Sequence, residues 1–205
     1  MRDRFEKIYE RNEWHYGSGE GSLHFHNVGY IAFLEGFIAN NNVASVVDLG
    51  CGDWQFSQFV NWGEAHYSGY DIVRPVIAAN KLEYSDNGVE FHLYSGDPSE
   101  LPAADLLIAK DVLPHLSNTR ITAILSNLDR FKYALITNSL DPDGETRNKD
   151  IRDGDWWYLD IRQPPFNIAA EEVFVFTKKQ LGEDGLFELD PTFKKNTLLV
   201  RSSRL

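Results

Sequence analysis

An α/β fold, with seven strands in a mostly parallel sheet, is predicted by three observations. Short apolar runs rich in β-branched residues alternate with amphipathic stretches at close intervals, as right-handed βαβ crossovers require. The first run ends in a glycine turn, Gly50-Cys51-Gly52, that opens the next segment. The last two runs have no helical stretch between them, which predicts an antiparallel C-terminal pair at the sheet edge.

Taken in order, Asn27 to Asn40 places Val28, Ile31, Leu34, Phe37 and Ile38 at spacings of three and four, the stripe of an amphipathic helix. Val43 to Leu49 is a continuous apolar run closed by Gly50 and reads as a buried parallel strand. Trp54 to Trp62 predicts a short helix, and His66 to Asp71 a second strand. Pro75 fits the first turn of a helix running to about Tyr84. Val89 to Leu93 and Ala104 to Ala109 are strands three and four. Ser117 or Asn118 can cap a helix whose apolar face is Ile121, Ile124, Leu125 and Leu128. Lys132 to Thr137 is strand five; Glu172 to Thr177 and Thr197 to Arg201 form the final pair. The aperiodic stretch from Leu140 to Ile168 carries Trp156-Trp157-Tyr158 and several arginines. A loop that long is usually functional, so residues 140–168 are expected to cover the site.

The 205 residues carry 20 Lys and Arg against 31 Asp and Glu, a net charge of −11, which disfavours nucleic acid as a partner. A small or carbohydrate-like substrate is favoured. The apolar runs fall far short of the roughly 20 residues that cross a bilayer. Charges alternate through Met1 to Lys7 where a secretory signal would be apolar, so a cytoplasmic address is expected. Cys51 is the lone cysteine, which excludes an internal disulfide framework and a Cys-rich zinc site. The length suits one domain over residues 1–205.

Gly50 and Gly52 let a ligand approach the backbone closely, and Asp71, 23 residues beyond Asp48, ends the second strand where a carboxylate can accept ribose hydroxyls. A dinucleotide fingerprint needs a third glycine at position 55, where this chain has Gln55 beside Trp54, so NAD is disfavoured. An adenosine ligand without phosphates, S-adenosylmethionine, answers the same features.

The chain resembles the class I S-adenosylmethionine-dependent methyltransferases, whose sheet is doubly wound and Rossmann-like. The resemblance rests on Val47-Asp48-Leu49-Gly50-Cys51-Gly52-Asp53-Trp54, Tyr70-Asp71-Ile72-Val73, Ser95-Gly96-Asp97-Pro98 and Lys110 to Asn118. It is also similar to a bacterial subfamily with a Ser/Gly-rich N-terminal segment, here Gly17 to Ser22. That subfamily carries a late aromatic signature, here Trp157-Tyr158-Leu159-Asp160 and Pro164-Pro165-Phe166-Asn167. The resemblance implies Gly50 and Gly52 under the methionine moiety, and Asp48, Cys51 and Trp54 are candidate cofactor contacts beside them, Asp48 with the plainer reading of holding the turn. It further implies Asp71 on the ribose, Ile72 against the adenine and Asp97 near the adenine amino group; Lys110 and Asp111, at the rim past strand four, are further candidates, Asp111 for the cofactor's ammonium. Several of these have plainer readings: Ile72 as core, Asp97-Pro98 as a turn pair, Lys110 and Asp111 as a mutual ion pair.

Methyl transfer from a sulfonium needs an aligned acceptor and removal of its proton. His115, just past strand four, is the candidate base, with Asp111 beside it on the same rim. Residues 1–26 are expected to form a lid or substrate segment. Trp14, His24, His26, Arg152 and Trp156 are the candidate acceptor contacts, with Trp157 and Arg162 also considered. No metal site is expected. The predicted reaction is methylation of a small-molecule or saccharide acceptor, with oxygen favoured. The alternatives are a non-catalytic S-adenosylmethionine-binding module, a protein or nucleic-acid methyltransferase, and an NAD-dependent oxidoreductase.

Overall fold

Strands β1 (Ser45–Leu49), β2 (His66–Asp71), β3 (Val89–Leu93), β4 (Ala104–Lys110), β5 (Phe131–Ser139), β6 (Glu171–Leu181) and β7 (Phe187–Arg201) form a single sheet. Its order is β3-β2-β1-β4-β5-β7-β6. The structure, a computed structural model, describes residues 1–86, 88–181 and 187–202. β1 through β5 pair in parallel, while β7 runs antiparallel between β5 and β6. The chain order reverses between β1 and β4, and in such sheets the crevice beyond the carboxyl ends of the strands at that reversal is where ligands bind.

Period-two alternation sends each central strand's side chains to two cores. Val47, Leu107, Ile136 and Leu198 face one core. Val46, Leu106, Ile108, Leu135 and Leu199 face the other. Helix α2 (His24–Asn40) covers the second core through Tyr30, Ile31, Leu34 and Ile38. Helices α1 (Arg2–Glu10) and α4 (Asn118–Leu125) cover the first, together with Leu159 and Ile161 from the long loop. Helix α3 (Arg74–Glu83) starts with proline in its first turn and packs beside β2 and β3, as expected.

Four elements differ from the sequence reading. Helix α2 begins at His24, three residues early, and Val28 faces solvent, so its apolar stripe is set by Tyr30 in place of Val28. The Asn27 amide lies on the buried side because it donates to the carbonyls of Gly21 and Leu23, tying the helix start to the preceding strap. Trp54 to Trp62 forms only a short 3-10 turn at Ser57–Phe59. Helix α1, unforeseen, anchors through Phe5 and Ile8, each worth about 1.5–3 kcal/mol on burial. Ser117 is the N-cap of α4 but its side chain makes no cap bond; the loop carboxylates of Asp153 and Asp150 accept the Ser117 and Asn118 amides instead.

Candidate active site

A cavity of about 760 Å³ opens beyond the carboxyl ends of the strands, at the β1/β4 reversal. Its floor at one end is the turn after β1. Gly50 at φ +74° and Gly52 at φ +53° adopt left-handed conformations that favour glycine. A Cβ on Gly50 would come within 2.3 Å of Val112, so the turn also packs too closely for a side chain. Trp54 follows at φ +57°, and that conformation helps turn its ring away from the cavity. The ring lies in the second core between Tyr67, Tyr84 and Phe91, so Trp54 supports the turn from beneath.

Asp71 ends β2 and lines the cavity. The Gly52 and Val73 amides donate to its two oxygens at 3.1 and 2.9 Å, fixing the carboxylate beside the glycine turn. Burial pushes its pKa up to about 6 against the pull of those amides. Asp48, also lining the cavity, is likewise raised by burial to about 6 although the Tyr67 hydroxyl donates to it at 2.7 Å. Cys51 lies in the turn with its thiol raised by burial. Ile72, Tyr94 and Met1 line the far wall. Asp97 does not: its exposed carboxylate accepts the Ser99 amide at 2.9 Å and caps a short turn.

The roof is the N-terminal segment. Arg2 donates to the carbonyls of Ile72 and Tyr94, and the Tyr9 hydroxyl meets Ser18 Oγ at 2.7 Å. Ser18 Oγ in turn accepts the Asp53 amide, so the Ser/Gly-rich strap is pinned to the turn after β1. Trp14 reaches the cavity and lies against His115, ring centroids 4.7 Å apart.

His115 follows β4 and lines the cavity. Its Nδ1 sits 3.0 Å from the Asp155 carbonyl, which only accepts, so Nδ1 carries the proton and Nε2 has a lone pair. Burial lowers its pKa, so the neutral ring prevails at pH 7. The 140–168 segment reaches this point: the Gly154 and Trp157 amides donate to the His115 and Pro114 carbonyls, and Asp153 also accepts from Arg120. Trp156 and Asp153 line the cavity.

At the other end, Asp111 Oδ2 accepts from both Lys110 and Lys195. Burial alone would raise the Asp111 carboxyl, but the two ammoniums hold it below the usual carboxylate range, which makes it a poor proton acceptor. Lys195, from β7, lay outside the sequence reading, whose last strand began at Thr197. In the structure it pairs with Ser139, at the carboxyl end of β5. Lys178 and Phe193 also line this end.

Three candidate acceptor contacts lie away from the cavity. His24 packs on Phe59, since the early start of α2 turns it outward. His26 is buried 3.8 Å from Glu20. Arg152 is 92% exposed and pairs with Asp155. Trp157 donates its ring N–H to the Arg147 carbonyl, and Arg162 clamps Asp160 through two of its nitrogens. Among the described residues no cluster of three or more metal-ligating side chains occurs, and no helix is long and apolar enough to cross a membrane.

The sequence matches no protein-family model and no curated protein. Solved structures do match. The N-methyltransferase NodS from Bradyrhizobium japonicum WM9, in complex with S-adenosyl-L-homocysteine, superposes with a TM-score of 0.66 at 12% identity, over 98% of this chain and 100% of that one. The magnesium protoporphyrin IX methyltransferase ChlM from Synechocystis PCC 6803, with S-adenosylmethionine bound, gives 0.60 at 17% identity over 98% and 95%. TehB from Haemophilus influenzae gives 0.57 at 17% identity over 85% of this chain, which spans 62% of that protein's length. The chain has the fold of S-adenosylmethionine-dependent methyltransferases.

Proposed function

We propose that the protein is a methyltransferase that takes a methyl group from S-adenosylmethionine and passes it to the oxygen of a small-molecule or saccharide acceptor. The observation that carries this reading is Asp71, held by two backbone amides beside a side-chain-free turn, in a cavity large enough for cofactor and acceptor together. The residues present suit an adenosyl sulfonium. The carboxylate has lone pairs left for two ribose hydroxyls, and the buried Tyr94 hydroxyl has no hydrogen-bond partner among the described residues. Asp48 and Asp71 make this end acidic, which favours a ligand with cationic groups.

Bound S-adenosylmethionine supplies an electrophilic methyl on a positively charged sulfur. The chain's part is placement and proton removal. Gly50 and Gly52 allow close approach, Ile72 and Tyr94 give the adenine an apolar wall, and the strap pinned at Ser18 excludes water. His115, with its Nδ1 proton committed to the Asp155 carbonyl, offers Nε2 to the acceptor hydroxyl's proton. Trp14 and Trp156 supply faces for the acceptor's ring or sugar.

Calorimetric titration with S-adenosylhomocysteine tests the reading, with NAD run alongside. Micromolar binding of the first, none of the second, and weakening in Asp71→Ala are expected. Absence of binding, or equal binding of NAD, would refute it.

A further inference from the structure

We propose that the acceptor carries a carboxylate and that Lys178 and Lys195 bind it at the β4–β7 end of the cavity. This rests on the methyl-transfer reading and names the class of molecule that reading leaves open. The sheet order divides the cavity: β1 and β2 supply the acidic end, whereas β4, β6 and β7 supply Lys110, Lys178 and Lys195. In a chain of net charge −11, three ammoniums are gathered at this end.

Lys195 is short of partners among the described residues. Lys195 is 6% exposed at its side chain, yet among the described residues its one hydrogen-bond acceptor is Asp111 Oδ2, an oxygen it shares with Lys110. An ammonium has three donors, and burying it is unfavourable unless they are satisfied. Lys178 pairs with Glu20 from the strap. Lys110 and Lys195 share one oxygen of Asp111, so Lys195 keeps donors that a ligand's carboxylate can take. A carboxylate, with one charge and two oxygens, can take donors from both Lys178 and Lys195 without bringing the second charge of a phosphate.

The surroundings also fit. The Lys178 and Lys195 ammoniums each lie 5.4 Å from the centre of the Phe193 ring, and Lys110 lies 5.0 Å from that of Phe56. A charged head with an apolar body would meet cations and aromatic faces at once. Burial lowers Lys195 to about 8 even with Asp111 beside it, consistent with an ammonium that gains from a second anion.

The competing explanation is that the lysines only anchor the strap through Glu20 and Gly21. Protein saturated with S-adenosylhomocysteine would be titrated with matched pairs: benzoate and benzamide, hexanoate and hexanamide, glucuronate and glucuronamide, with phenyl phosphate added. At least one carboxylate should bind tenfold or more tightly than its amide. Lys178→Met and Lys195→Met should each remove about tenfold of that affinity. Glu20→Gln, which frees Lys178, should raise it several-fold, whereas a pure anchoring role predicts no gain. The proposal is overturned if no carboxylate outbinds its amide, if both lysine variants keep the preference, if Glu20→Gln gives no gain, or if phenyl phosphate outbinds benzoate tenfold. Loss of S-adenosylhomocysteine binding in the unaltered protein would instead strike the methyl-transfer reading. The same pairs titrated without it would still report on the lysines.

Discussion

Asp71 gives the sharpest test because its protonation state and its role are linked. Burial raises its pKa to about 6 in the free protein, while hydrogen bonds from ribose hydroxyls favour the carboxylate. Cofactor binding must then fall as the pH drops through 6. A group titrating at about 6 is about nine-tenths ionised at pH 7 and about one-tenth at pH 5, so affinity for S-adenosylhomocysteine should drop about tenfold over that interval. Asp71→Asn keeps the shape but loses the charge. It also turns an NH2 toward either the Gly52 or the Val73 amide, leaving donors opposed. Turning two charge-assisted bonds of about 1.5–3 kcal/mol into neutral ones of about 0.5–1.5 kcal/mol costs about 2–3 kcal/mol in all, which predicts roughly thirtyfold to hundredfold weaker binding at pH 7. The variant's pH profile should be flatter, since only Asp48 is left to titrate near 6 in the acidic end. Calorimetry from pH 5 to 8 reads both quantities. A flat profile in the unaltered protein, or the same slope in the variant, would refute the argument.

Three further outcomes are expected. His115→Ala should lower turnover with an identified acceptor by about 10²–10⁴ while changing S-adenosylhomocysteine affinity little, and the acidic limb of the rate profile should lie below pH 6.5 because burial lowers the imidazole. Gly50→Ala should lose cofactor affinity at least tenfold and melt earlier, since φ +74° strains any Cβ and Val112 stands 2.3 Å from it. Adding Val112→Ala should recover part of the stability only. Asp153→Ala removes partners of the Ser117 amide and the Arg120 guanidinium, which should cost about 1–3 kcal/mol and lower Tm by several degrees in a thermal melt.

The central strands were legible because a strand buried on both faces reads as a near-continuous apolar run, and β1 and β4 carry that composition through Val46-Val47 and Leu106 to Ala109. The glycine turn and Asp71 were legible as a spacing. Helix α1 was not, because two apolar anchors among charged residues make too thin a stripe, and its stability comes from contacts with strands and loops far along the chain. Beyond the run to Thr177, the length of β6 was masked by register shifts on either side of Phe174–Thr177, which break the alternation. Lys195 was invisible for a different reason: its partner Asp111 is 84 residues away, and only folding reveals that a lysine there is dry. Trp54 and His24 read as ligand contacts by proximity to motifs, yet backbone direction sends one under the turn and the other outward.

The placement of β7 has a consequence for how the protein is made. A ribosome delivers β6 before β7, yet β7 is the strand that joins β6 to β5. Until it emerges, the nascent sheet ends at β5 with an unpaired edge along Leu135 and Ile136, residues that are fully buried once β7 docks. Such an edge is a template for pairing with another chain, so the interval between the two strands is when the growing polypeptide is most exposed to misassembly. The same delay falls on chemistry. The turn after β1 and Asp71 can assemble early, but Lys195 arrives with the strand that closes the sheet, so the two ends of the cavity, and the proposed nucleoside and acceptor sites with them, are completed at different moments of synthesis.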